Sequence, residues 1–436
     1  MKKFLAILLV IAVLASLTAC SATEKPAEGS TQQASGEKVT ISFYSYMNED
    51  DKSQVIPKKW AIEQMKTRMP NVEVEIIPWY SQSDQIKVWA ASNELPDIVE
   101  CNQSSTIAEL LAAEKLMPIE TYLQEYDWEH EIKESYYQNL INDDGHIYQI
   151  PTMGADTCLL YYNKTLFDQY GLEPPTDIDK VFAAIDVFSQ NGILPIGLWG
   201  DEIWPVMSLY DGLLTKYNPD GIKVFDGYVD LKAEDYYLKC AQTMYDMQQR
   251  GAFTNDLFTT NYNAALAKFA AGETAMFQNG TWALSEVYEA LGENAGVVSC
   301  PWGDAATMEK TKGRMSGGTN LTVYICAAAN TEHPDIVGEW MAQYALLCLE
   351  GNILKSSKLE AVLMKEVTPE TPYTSLQKAY ADILSDAETF TYFTWDMKDL
   401  TMVDALTVQL QNLMSNVCTP EQFIDNLQKS IDREFK

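Results

Sequence analysis

Histidine is scarce in this chain: three residues in 436, His130, His146 and His333. Their wide separation argues against a metal cluster, and His130-Glu131 lacks the second histidine of a helical zinc motif. The eight cysteines include no CxxC pair, which removes the usual zinc and thioredoxin-type readings. No GxxxxGK[ST] phosphate loop is present, so energy from a nucleotide would have to come from another protein. Basic residues are few as well: 31 Lys and Arg stand against 62 Asp and Glu, a formal charge of −31. Nucleic acid demands basic patches against its phosphates, and an anionic lipid surface demands the same, so the balance disfavours both. Neither an internal repeat nor a low-complexity tract is seen after residue 37. No catalytic residue, metal site or cofactor is expected. Acid pairs such as Asp50-Asp51 and Asp143-Asp144 read as solvated surface carboxylates.

What is present begins at the first residue. Lys2-Lys3 precede an apolar run from Phe4 to Leu14, closed by Leu17-Thr18-Ala19-Cys20. This is the pattern of a secretory signal peptide over residues 1–19. Its apolar run is too short for a bilayer span, which needs about 20 residues. The four residues resemble a bacterial lipobox, which implies that Cys20 becomes a lipid-carrying first residue. From Ser21 to Glu37 there is no aromatic residue, Val, Ile or Leu, and such a segment cannot bury enough surface to fold. These 17 residues would span about 20–25 Å as a flexible tether. Residues 20–37 are therefore expected to hold the protein by lipid on the extracytoplasmic face of the cell membrane. Of the seven other cysteines, Cys158, Cys326 and Cys348 lie in apolar runs and read as buried thiols. A disulfide among the seven stays open.

The remainder is globular, with 47% hydrophobic residues, 10 Trp and 24 Tyr. About 400 residues exceed one comfortable core and suggest two domains. Alternation at Val39, Ile41 and Phe43 predicts a strand, and residues 52–68 follow a helical pattern. Val72, Val74 and Ile76 predict a second strand, and Leu95 to Val99 a third. Further strands are expected at 147–150, 157–162, 193–199, 274–277 and 321–325. Asp177 caps one predicted helix. Thr419-Pro420-Glu421-Gln422 opens the last, as a capping box with proline at its first position. Strands alternating with helices imply parallel sheets flanked by helices, an α/β class.

Several segments then fall in a familiar order. They are Ile41 to Tyr46, Asn93 to Val99, Gly145 to Pro151, Leu160 to Lys164, Phe269 to Phe277, Asn279 to Trp282 and Ser316 to Gly318. Together, behind a lipobox, they resemble the extracellular solute-binding proteins of sugar ABC importers, the maltose-binding-protein-like family. The resemblance covers residues 38–436. It implies a two-lobed periplasmic-binding-protein-like fold with hinge strands, each lobe a sheet flanked by helices. On that reading lobe 1 is 38–153 continued by 302–345, and lobe 2 is 154–301 continued by 346–436. Hinges are expected near Gly154-Ala155, Cys300-Pro301 and Ala345. The implied partners are a sugar or oligosaccharide, the transmembrane permease subunits of an ABC importer, and the membrane through the lipid; the protein is expected to be monomeric.

The chemistry of a carbohydrate site points the same way. Sugars offer apolar C–H faces and a rim of hydroxyls, so they need flat aromatic rings beside planar polar groups. In α/β sheets, ligands sit beyond the carboxyl ends of strands. The residues expected there are Tyr44, Tyr46, Glu100, Asn102, Trp199, Trp204, Trp282 and Trp302. The resemblance gives Trp282 a sugar-stacking role, while Asn102 and Gln103 stand near where many relatives carry aspartate. It also adds Trp395 as a late aromatic and Gly318, beside Gly317, as a place of close backbone approach. Tryptophan in a protein of this size is core more often than not, and loop acids are often only solvated. A polyamine or chelate is the alternative ligand class, and a secreted glycan hydrolase the alternative activity.

Overall fold

The computed structural model describes residues 38–49, 51–79, 85–101, 104–359 and 362–436. Cys20 and Asn102, both singled out above, lie outside these segments. The described strands are β1 (Val39–Tyr46), β2 (Val72–Trp79), β3 (Ile98–Cys101), β4 (Gln149–Met153), β5 (Cys158–Asn163), β6 (Leu194–Gly197), β7 (Thr274–Gly280), β8 (Ala295–Ser299), β9 (Arg314–Gly318), β10 (Thr322–Ala327) and β11 (Thr389–Thr391). A five-stranded sheet runs β2-β1-β3-β10-β4, a four-stranded sheet runs β6-β7-β5-β8, and β11 pairs with β9.

The sheets are mixed rather than wholly parallel. β1 is parallel to β2 and β3, and β6 to β7. β10 is antiparallel to β3 and β4, and β5 to β7 and β8. The reason is local: the chain leaves the first sheet at Met153 and returns at Thr322, and these two residues are register partners. A strand that re-enters where its neighbour left must run the other way.

Each sheet carries helices on its faces. In the first body the helix Lys52–Arg68 packs against the long helix Pro334–Ser356. Trp340 of that helix stacks on Tyr344 at 4.4 Å, and the Phe43 ring meets both edge-on at 5.6 and 5.5 Å. All three rings are at most 1% exposed, and each contributes roughly 1.5–3 kcal/mol by leaving water. The second body has its own core, built on Leu160, Phe188, Leu213, Met244 and Leu410. Both predicted caps form. The Asp177 carboxylate accepts from Lys180 N at 3.1 Å. Thr419 and Gln422 complete a capping box on the helix Pro420–Phe435.

Three stretches connect the two bodies: 154–157 between β4 and β5, 319–321 between β9 and β10, and 371–374 before the helix Ser375–Ser385; residues 362–370 stay with the first body, where Lys133 N donates to Val362 O and Glu370 N to Leu354 O. The first two run side by side, since Thr322 donates from both N and Oγ1 to Gly154 O. Gly154-Ala155 thus lies on the first of these stretches. Cys300-Pro301 does not: after β8 the chain stays with the second body through the β9/β11 ribbon, which abuts the helix Trp204–Tyr217. Ala345 sits inside the 23-residue helix Pro334–Ser356, whose unbroken backbone hydrogen bonding leaves no hinge there.

Candidate functional site

The carboxyl end of β6 runs into Trp199 and then the helix Trp204–Tyr217, where Trp204 becomes the hub of an aromatic group. Its ring meets Trp199 at 5.1 Å, Trp282 at 5.5 Å and Trp395 at 5.9 Å, all edge to face. Edge-to-face pairs of this kind contribute about 0.5–1.5 kcal/mol each beyond burial. Its indole N–H donates to Glu202 Oε2 at 3.0 Å. Trp282 arrives on the short turn Thr281–Ala283 that follows β7. Trp395 stacks on Phe393 at 4.2 Å. Trp204, Trp282 and Trp395 remain partly exposed, so their free faces can meet a solute.

Buried groups hold this platform in place. Asp211, on the Trp204 helix, is fully buried and accepts from Thr394 N at 2.9 Å and Thr394 Oγ1 at 2.6 Å. Burial pushes its carboxyl up to about 8 despite those donors. The Thr394–Asp396 turn that carries Trp395 is thereby fastened to the Trp204 helix. Gly317 has φ +85°, and a side chain there would lie 2.1 Å from the Phe393 ring and 2.7 Å from the Asp156 carbonyl. Only glycine fits both the backbone and the space.

The first body contributes a second aromatic cluster. Tyr46, at the end of β1, lies 4.9 Å from Trp79, and Tyr44 lies between Trp79 at 6.0 Å and Trp89 at 5.0 Å. Beneath Tyr46 the Lys58 ammonium donates to Glu100 Oε1 at 2.6 Å, and Ser45 Oγ donates to Glu100 Oε2 at 2.6 Å. Burial raises the Tyr46 hydroxyl well above its ordinary value, with Asp51, and then Glu202 and Glu286 of the second body, adding to the rise. Acids on one body therefore act on a phenol of the other. An ion pair, Lys52 with Glu289 at 2.9 Å, also spans the two.

Where the helix Lys52–Arg68, the Trp282 turn and the connecting stretches meet lies a narrow recess, partly open to solvent, lined by Ser53, Asp156, Trp282, Ser285, Lys358 and Tyr380 among others. Asp156 ties its wall together, accepting from Thr281 Oγ1 at 2.6 Å and Thr322 Oγ1 at 3.0 Å. The Lys358 ammonium is buried and has no hydrogen-bond partner. Glu286 accepts from the Tyr262 hydroxyl. Burial first, with Asp51 and Glu289 adding to it, raises its carboxyl to about 7. A flat ring at Trp282, acceptor oxygens at Asp156 and a donor at Lys358 thus line one recess, the kinds of group that suit a polyhydroxylated solute. Among the described residues no group of three His, Cys, Asp or Glu could hold a metal ion.

The expected residues divide accordingly. Trp204, Trp282 and Trp395 come together, and Tyr46 presents its hydroxyl to the acids of the same region. Trp199 is 0% exposed and stacks on Phe277 at 5.6 Å, so it supports the platform from below. Tyr44 is 5% exposed and Glu100 1%, and Glu100 serves as the internal partner of Lys58. Gly318 leaves room for the Phe390 ring, which a side chain would approach to 2.4 Å. Trp302 corrects the expectation: it is 1% exposed in the second core, where its indole fills the space beside Gly212. β8 does end just before it, but the chain turns inward. Trp79, Glu286, Tyr262, Asp156 and Lys358 were not anticipated. Of these only Trp79, an aromatic ending a predicted strand, left a sequence signal.

A family model described as bacterial extracellular solute-binding protein matches residues 52–342. An uncharacterized ABC transporter extracellular-binding protein of Pyrococcus horikoshii is 22% identical over 89% of this chain and 86% of its own. The multiple sugar-binding protein of Streptococcus mutans is 23% identical over 58% of this chain and 60% of its own. Among solved structures, a chitin oligosaccharide binding protein superposes with a TM-score of 0.76 at 18% identity, covering 91% of this chain and 99% of that one. That likeness shows a shared fold. The chain belongs to the family of bacterial extracellular solute-binding proteins.

Proposed function

We propose that the protein captures a sugar or oligosaccharide between its two bodies and delivers it to the permease of an ABC importer. The observation that carries this is the Trp204-centred platform, whose partly exposed rings stand beside the Glu202 carboxylate, with Tyr46 of the first body within electrostatic reach of Glu202 and Glu286. Stacking satisfies C–H faces, and the carboxylates and the Lys358 ammonium satisfy hydroxyls. The sugar-binding names of relatives, such as the Streptococcus mutans protein, support the same ligand class.

In this reading the bodies are lobes, 38–153 with 322–359 and 362–370, and 158–318 with 375–436. The stretches between them act as hinges that let the lobes close on the solute. Cys20 carries the lipid, residues 21–37 form the tether, and the receptor works as a monomer without catalysis. Micromolar affinity, about −8 kcal/mol, would allow both capture and release.

The test is calorimetry and tryptophan fluorescence on residues 21–436 with mono- and oligosaccharides. A carbohydrate should bind with a change in tryptophan emission. Trp282→Ala should weaken it about two- to tenfold, as expected for an aromatic contact worth about 0.5–1.5 kcal/mol. The acids around the site favour one alternative, a polyamine. Binding of spermidine with no response to any carbohydrate would replace the sugar while keeping the receptor role. Reducing-end release from a polysaccharide would overturn the binder reading.

A further inference from the structure

All seven described cysteines are buried thiols, but they are not equivalent. β5 and β8 are antiparallel with Leu159 opposite Ser299, and one step further along that register sets Cys158 opposite Cys300. Directly opposed residues of an antiparallel pair have Cα atoms about 4.5–5.5 Å apart, inside the range of about 4.4–6.8 Å that a disulfide spans. Both side chains leave the sheet on the same face, and Cys300 Sγ donates to Cys158 O at 3.3 Å. A second close couple, Cys101 and Cys326, fails the same criterion. Cys101 is opposite Tyr324, which makes Cys326 its diagonal neighbour, at a typical spacing of about 7–8 Å.

We propose that Cys158 and Cys300 form a disulfide in the exported protein, the only one among residues 38–436. The family places the protein outside the cytoplasm, where disulfides persist. The reaction is exchange with an extracytoplasmic oxidant of the disulfide class: the oxidant's S–S bond breaks, Cys158 Sγ–Cys300 Sγ forms, and the two thiol protons end on the reduced oxidant. The pair is at most 1% exposed and lies under the helix Trp204–Tyr217, a side chain at Gly212 coming within 3.4 Å of Cys300 Sγ. Oxidation therefore precedes the closing of that core. Once made, the bond clamps the first residue of β5, where the chain enters the second body, to the residue that follows β8.

The experiment uses the full chain exported from its host, quenched with iodoacetamide, unfolded, treated with N-ethylmaleimide and mapped by mass spectrometry without reduction. The expected result is one cross-linked peptide pair, Cys158 with Cys300, and alkylation of Cys101, Cys240, Cys326, Cys348 and Cys418. Alkylation of all seven, or a bond between any other two, overturns the proposal. This reading needs no variant. As a second readout, reductant should lower the melting temperature of the wild type by on the order of 5 °C and leave Cys158→Ser unmoved. Equal responses of the two proteins would also refute it.

Discussion

Glu286 should make the stability of this protein fall as pH rises, the reverse of the usual carboxylate effect. In the folded chain its carboxyl titrates at about 7 against an ordinary 4.5, chiefly because burial penalises the charge. Between those values the unfolded chain has released the proton and the native chain still holds it. The native state then binds more protons, so stability is highest below pH 4.5 and is lost as pH climbs through 7. Raising this carboxyl from 4.5 to about 7 corresponds to about 3 kcal/mol at about 1.36 kcal/mol per pH unit. Glu286 keeps some exposure, and solvent screening brings the expected loss to about 1–2 kcal/mol. Glu286→Gln keeps an acceptor for the Tyr262 hydroxyl but cannot titrate. Thermal melts from pH 4.5 to 8.5 should show the two proteins together at the acid end. The variant should lead by about 1–3 °C at pH 8. Asp211 and Asp396 also titrate in this range, their carboxyls raised by burial to about 8 and about 6, but they are common to both proteins and cancel in the difference. Parallel pH curves would refute the argument.

Further outcomes follow from other buried groups. Glu100→Gln leaves the Lys58 ammonium, whose side chain is 2% exposed, without its counter-ion and should destabilise by about 3–5 kcal/mol in urea unfolding. The double change Lys58→Met with Glu100→Leu should recover most of that loss. Trp302→Ala should cost about 3–5 kcal/mol through the cavity it opens while leaving solute affinity within threefold, as measured by calorimetry. A large affinity loss at full folding would return Trp302 to the site. Thr394→Val removes the hydroxyl donor to Asp211. It should weaken any ligand that stacks on Trp395 about three- to tenfold, for a buried hydrogen bond worth about 1 kcal/mol.

Much of this protein could be read locally. Strand β1 follows from Ile41 and Phe43 alternating with polar residues, and the caps at Asp177 and Thr419 need only the next three residues. The aromatic platform was partly legible because Trp204 and Trp282 stand just past strands, where an α/β fold puts its ligands. Trp302 stands in an equivalent place along the chain and is buried. The difference is Gly212, remote in sequence, which opens the space its indole fills. Glu100 reads as a loop acid until Lys58, 42 residues away, is seen to reach its carboxylate.

Local pattern was enough for the class of the fold, the order of its elements and the kind of surface that could meet a sugar, because periodicity, caps and strand ends are short-range properties. Tertiary structure alone decided where the chain crosses between bodies and which aromatics keep a free face. It also set the high carboxyl of Glu286 and chose which cysteines oppose one another. Each of these depends on what a distant segment places next to the residue, through burial, register or charge, and no local pattern records that.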